Sequence, residues 1–166
     1  MRYEILTDEG PESPRQDGFG TILYTSFRYE LGDERVDQEE IEEKMKDSSL
    51  IAIPVYAMIH GSVQLSTSKF SCQWDSGQSG IIYVSKEEVR KTWNITKISK
   101  KRREMVIEAL KNEIKIYSQY LSGEVYGYRI FDDNDEEIDS CWGFYGMETA
   151  EAEAKDAMKQ RQQVAA

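Results

Sequence analysis

The sequence predicts an α+β protein, with a mixed or mainly antiparallel sheet of about five to seven strands and two or three helices packed on one side. Three observations predict this. Runs rich in β-branched and aromatic residues recur at 21–29, 50–59, 81–84 and 124–131. One long stripe, Val106, Leu110, Ile114, Tyr117 and Leu121, follows the helical period. The chain has 166 residues, 39% hydrophobic and 11% aromatic, enough to bury a core without staples.

Taken in order, 3–7 reads as a short strand running into a Gly- and Pro-bearing loop, Gly10-Pro11-Glu12-Ser13-Pro14. Alternation over 21–29 predicts a strand. Asp37 is placed to cap a helix to about Lys46, with Ile41 and Met45 one turn apart. The apolar run 50–59 is a buried strand that Pro54 pushes toward an edge or a bulge. It is followed across His60-Gly61-Ser62 by a partner at 63–67. After the strand 81–84, Ser85-Lys86-Glu87-Glu88 is a capping box, and Val89 and Trp93 share the buried face of the helix it starts. The long helix runs from about Ser99 to Leu121, with Gly123 as its C-cap. Strands at 124–131 and 138–145 flank an acidic turn. The expected organisation is a single α+β domain, 1–146, followed by an Ala/Glu/Lys/Gln-rich helix or frayed tail, 147–166.

Two segments share a Cys-Trp-Gly pattern: Ser71-Cys72-Gln73-Trp74-Asp75-Ser76-Gly77-Gln78 and Asp139-Ser140-Cys141-Trp142-Gly143-Phe144-Tyr145-Gly146. Two readings stand. In one, Cys72, Trp74, Asp75, Gln78, Asp139, Cys141 and Trp142 line a shared pocket. In the other, which is favoured, the segments are paired strands whose Cys and Trp fill the core. Standard chemistry is poorly supplied. His60 is the single histidine, so Cys72, His60 and Asp75 are the only nucleophilic set, and no nucleophile signature surrounds Cys72. No cofactor, catalytic residue or metal ligand set is assigned. Three Cys and His in total fall short of a structural zinc site. The acidic run 132–139 fails the calcium-loop spacing, since Glu137 stands where Gly is needed and Gly143 where Glu is.

Several words are similar to those of a family of uncharacterised accessory proteins from bacteriophages and conjugative elements. They are Ser13-Pro14-Arg15, Tyr29-Glu30-Leu31-Gly32-Asp33, Trp74-Asp75-Ser76-Gly77-Gln78, Gly80-Ile81-Ile82-Tyr83-Val84, Tyr117-Ser118-Gln119-Tyr120-Leu121-Ser122-Gly123-Glu124-Val125-Tyr126-Gly127 and Asp139-Ser140-Cys141-Trp142-Gly143-Phe144-Tyr145-Gly146. The resemblance implies a mobile-element product in the cytoplasm of a bacterial host cell and carries over no activity. The opening residues lack the apolar stretch of a signal peptide, and no apolar run is long enough for a membrane span, which agrees with that location.

Charge points the same way. The net charge of −10 makes direct binding of nucleic acid an unfavourable expectation. Nine acids against three bases fall between Glu30 and Asp47, and six acids with no base between Asp132 and Asp139. The stretch 86–115 is basic, with ten bases and five acids. Together with the mobile-element setting that the resemblance implies, this charge layout makes the leading expectation a non-enzymatic protein that binds and inhibits a host protein with a basic, nucleic-acid-binding surface. Anti-restriction or anti-CRISPR action by DNA mimicry is one form of this. The acids expected at the partner are Glu39, Glu40, Glu42, Glu43, Asp133, Asp135, Glu136 and Glu137. The alternative is a small-molecule or nucleotide-binding protein, or an enzyme, with its site between 71–80 and 139–146.

Overall fold

A computed structural model of the chain describes residues 1–72 and 74–165. Its elements in order are β1 (Arg2–Thr7), β2 (Thr21–Tyr24), β3 (Glu34–Arg35), α1 (Gln38–Lys46), β4 (Leu50–His60), β5 (Ser62–Ser66), β6 (Ser76–Ser85), α2 (Lys86–Thr92), α3 (Lys100–Leu121), β7 (Val125–Phe131), β8 (Glu137–Tyr145) and α4 (Met147–Ala165). The α+β class holds. The strands, however, divide between two sheets, and the chain divides into two compact units where the sequence reading expects one domain. One unit is Pro14–Ser118. The other joins Met1–Ser13 to Gln119–Ala166.

The larger unit is built on a five-stranded sheet of order β3-β2-β6-β4-β5. Only the β2–β3 pair is parallel. β2 stops at Tyr24, five residues short of the expected strand, because the Ser26 hydroxyl accepts the N–H groups of Arg28 and Tyr29 and turns the chain. The chain then doubles back to lay β3 beside β2. β4 lies inside the sheet, so Pro54 does not put it at an edge. The irregularity the proline predicts follows immediately, between Val55 and Tyr56. β6 begins at Ser76, five residues earlier than expected, because β4 is long enough to pair with it down to Met58.

Helices cover both faces of this sheet. Ile81 packs with Ile41 of α1, and the Lys44 ammonium stands 5.4 Å from the Tyr83 ring. The next residue along, Ile82, points the other way: a Cβ on Gly20 would meet both Ile82 and Leu110 of α3. Val106, Leu110, Ile114 and Tyr117 of α3 are buried as their spacing predicts. Asp37 caps α1 by accepting from the Glu40 N–H, but Met45, expected on the buried face, is exposed. Ser85 caps α2 by accepting from the Glu88 N–H. The Glu88 carboxylate takes the Thr92 hydroxyl instead of closing the capping box. Trp93 stacks on Phe19, centroids 6.2 Å apart.

The same unit contains a partly buried charge network. Arg15, about a tenth exposed, holds Asp33 with Nε and Nη2 (3.0 and 2.7 Å), Glu113 with Nη1 (2.7 Å), and the Gly20 carbonyl with Nη2 (2.6 Å). Each carboxylate has a second donor: Ile22 N–H to Asp33, and Gly20 N–H to Glu113. Burial opposes the guanidinium charge, and the bonds from Asp33 and Glu113 outweigh it, so the Arg15 pKa rises.

The smaller unit is an antiparallel sheet of order β1-β7-β8. α4 lies on it, burying Ala154 against Tyr128 and Ile130, with Tyr3, Ile5, Phe144 and Met158 around them. The terminal helix is thus part of a core and not a solvated tail: Ala150 and Ala154 are fully buried. Ala166 lies outside the described residues.

Candidate functional site

β5 and β6 lie on either side of β4 and run parallel, so the chain from Ser66 to Ser76 has to cross β4. That crossing carries the Trp-Asp-Ser-Gly-Gln word. Gln73 falls outside the described residues. The crossing is fastened at its far end: the Ile59 N–H donates to the Asp75 carbonyl at 3.1 Å, and the Ser76 hydroxyl donates to the Cys72 carbonyl. The Asp75 carboxylate also meets His60 Nδ1 at 3.3 Å.

Trp74 stands on this fastened loop with 96% of its surface exposed. Beside the loop lies a groove of about 520 Å³, lined by Tyr56, Lys69, Phe70, Ser76, Gly77 and Gln78. Tyr56 and Gln78 are paired across β4 and β6. Register places them on the sheet face that carries Ile81, Tyr83 and α1. Lys69 has no ion-pair partner among the described residues, so the groove offers one free cation, two aromatic rings and an amide.

The one nucleophilic combination in the sequence, not assigned as a site, is only half assembled. His60 and Asp75 meet in the open, with His60 82% exposed, while Cys72 makes no side-chain hydrogen bond among the described residues.

The second Cys-Trp segment lies elsewhere. It forms the outer strand β8, whose partner is β7, so the two segments do not pair with each other as expected. Nor do they fill the core. Cys141 is exposed, Cys72 is half-buried, and both are free thiols. Trp142 is 42% exposed and lies over Gly127, with the Arg129 guanidinium 5.8 Å from its ring. The pairing of β7 with β8 slips here, between Tyr126 and Tyr128, and Gly143 takes φ +87 to make the bulge. Asp139 is held by Arg161 Nε of α4 at 2.9 Å.

The predicted acids behave differently in the two regions. Glu39, Glu40, Glu42 and Glu43 all project into solvent from α1, and none has an ion-pair partner among the described residues. In the β7–β8 turn, Asp133 pairs with the N-terminal ammonium, Asp135 with Arg2 at 3.1 Å, and Glu137 with Arg129 at 3.6 Å. Glu136 is exposed and contributes its backbone to the turn. Asp132 organises that turn by accepting the Glu136 and Asn134 N–H groups, which lowers its pKa.

Three residues of interest lay outside the expected set. Phe27, read as a strand residue, is 89% exposed beside the Arg35 guanidinium. Tyr56 and Lys69 come to the groove from β4 and the crossing, and only the pairing register brings them to Gln78. Among the described residues no helix is long and apolar enough to cross a membrane. No family model, curated protein or solved structure matches the chain.

Proposed function

We propose that the chain is a non-enzymatic mobile-element protein that binds and inhibits a basic host protein of a defence system, docking through the Trp74 loop. The observation that carries this is the 96% exposure of Trp74 on a loop pinned to the sheet at Ile59 and Cys72. A large indole held out into water on a fixed support is the residue type that anchors protein interfaces. The four acids of α1 without an ion-pair partner among the described residues, on a helix that packs against the sheet face carrying Tyr56 and Gln78, supply steering toward a cationic partner. The acids of the β7–β8 turn carry less weight in this reading, because three of them are already paired within their own unit.

The test is phage plating on bacterial hosts carrying restriction or CRISPR defences, with the protein expressed. The expected result is restored plating against one defence. Trp74→Ala should remove it, and reversing Glu39, Glu40, Glu42 and Glu43 to Lys should weaken it. Inhibition that survives both changes, or no effect on any defence, overturns the proposal.

A second reading rests on the groove of about 520 Å³ beside the same loop. Lys69 with Tyr56 and Phe70 suits a nucleotide or another planar anion. Thermal-shift titration with mononucleotides checks it, and a shift abolished by Lys69→Ala is the supporting outcome.

A further inference from the structure

The smaller unit contains a groove of about 620 Å³ between the start of β8 and the last turns of α4. Its walls are apolar where the Met1 side chain, Ile138 and Ala157 face it, and its polar side chains are Tyr128, Asp139, Gln160 and Arg161. Tyr128 is 7% exposed, and its hydroxyl has no hydrogen-bond partner among the described residues. No buried side-chain oxygen or nitrogen among those residues is cut off from both solvent and a partner, so this hydroxyl is open to solvent, on a residue that lines the groove. Burial, with the charge of Asp139 second, raises the Tyr128 pKa and keeps the phenol protonated as a donor. Arg161 uses Nε on Asp139 at 2.9 Å. Its terminal nitrogens remain, 45% of the side chain being exposed, and they form a planar pair of donors.

We infer that this groove binds a small amphipathic monocarboxylate, its apolar body on Ile138 and Ala157 and its carboxylate shared by Arg161 and the Tyr128 hydroxyl. The polar groups select this chemistry. With Nε on Asp139, Arg161 keeps two terminal nitrogens whose spacing fits the two oxygens of one carboxylate. A phosphate carrying two negative charges would meet stronger repulsion from Asp139 than a singly charged carboxylate does. Neutral molecules would leave the free guanidinium donors and the phenol without an anionic acceptor. The volume lies within the usual range for a small-ligand site.

The probe is 1-naphthylacetate, titrated into isotopically labelled full-length protein and followed by amide and side-chain NMR shifts. Saturable shifts confined to the groove are expected, with Kd on the order of 0.1 mM. Tyr128→Phe removes only the hydroxyl, and Arg161→Gln removes the charge. Each should weaken binding about tenfold. Ala157→Leu fills the groove from α4 without touching the polar groups, and should abolish the shifts while the rest of the spectrum is kept. The neutral analogue 1-naphthylacetamide should bind at least tenfold more weakly than the carboxylate. The inference is overturned by an absence of shifts at millimolar probe, by equal binding of acid and amide, or by binding that Tyr128→Phe and Ala157→Leu leave unchanged.

Discussion

Replacing Arg15 by Ala would remove the cation that two part-buried carboxylates share. Asp33 and Glu113 have side chains 27% and 18% exposed, so water replaces the lost partner only in part. Breaking a buried pair from one side costs about 3–5 kcal/mol. Two features favour the lower end. Asp33 keeps the Ile22 N–H at 2.7 Å, and Glu113 keeps the Gly20 N–H at 2.9 Å. The expected cost is therefore about 3 kcal/mol, or a fall in Tm of ~6–12 °C for a chain of this size. Urea denaturation followed by circular dichroism reads it as a lower midpoint with an unchanged slope. Arg15→Lys should recover less than half, since an ammonium cannot hold Asp33 through a two-pronged contact and reach Glu113 as well. The triple change Arg15→Met, Asp33→Asn, Glu113→Gln should cost less than Arg15→Ala alone, because it leaves no unpaired charge and keeps acceptors for both backbone N–H groups. A single Arg15→Ala variant within about 0.5 kcal/mol of the parent would refute the reasoning and reduce the network to an ordinary surface pair.

Three further outcomes are expected. Gly80→Ala would drive a Cβ into the Leu23 carbonyl, a backbone atom that cannot move aside without parting β2 from β6; a loss of at least ~3 kcal/mol or failure to accumulate folded protein is expected. Asp132 has a pKa lowered by the Glu136 and Asn134 N–H groups, so its contribution to the β7–β8 turn is present above the ordinary carboxylate pKa and disappears as pH falls through its lower folded value; the amide shifts of Glu136 and Asn134 should titrate together below pH 3.8, and Asp132→Asn should abolish that titration. Cys141 is exposed and Cys72 half-buried, so a thiol reagent under native conditions should label Cys141 first, as read by peptide mass analysis.

Elements carried by local signals were legible in the sequence, and those made by distant pairing were not. The α3 stripe, the Asp37 and Ser85 caps and the β7–β8 hairpin are encoded within a few residues, and each lies close to where its spacing puts it. β1 shows the opposite case. Its partner is β7, with Arg2 opposite Phe131, and no local pattern announces a pairing across most of the chain. The division into two units follows from that one pairing, because it takes the first strand away from the sheet that β2 joins. Arg15 and Asp33 were visible as parts of two family-like words, yet their bond depends on a turn at Ser26 that halves the strand between them. The Tyr128 groove had no sequence signal beyond Asp139, since its walls come from a hairpin and from a segment expected to be a solvated helix or a frayed tail.

The two Cys-Trp-Gly words look alike in sequence and behave differently in the fold, and exposure together with neighbours separates them. Trp142 is structural. It lies over Gly127, where a side chain would collide with the indole, and so shields a bulged stretch of an outer strand. A second slip, between Ile130 and Phe131, breaks β8 again. An outer strand interrupted twice is a poor template for adding another strand, which keeps this edge from pairing with further copies of the chain. Trp74 has no comparable structural role. It covers nothing, 96% of it meets water, and its loop would be fastened to the sheet without it. Exposing an indole has a solvation cost, and folding of this unit does not require it. Trp74→Ala should accordingly leave stability within about 0.5 kcal/mol of the parent, while Trp142→Ala should lower it by about 1–2 kcal/mol through uncovering Gly127 and its neighbours. If denaturation showed the reverse order, Trp74 would be a structural residue and the docking role given to its loop would lose its basis.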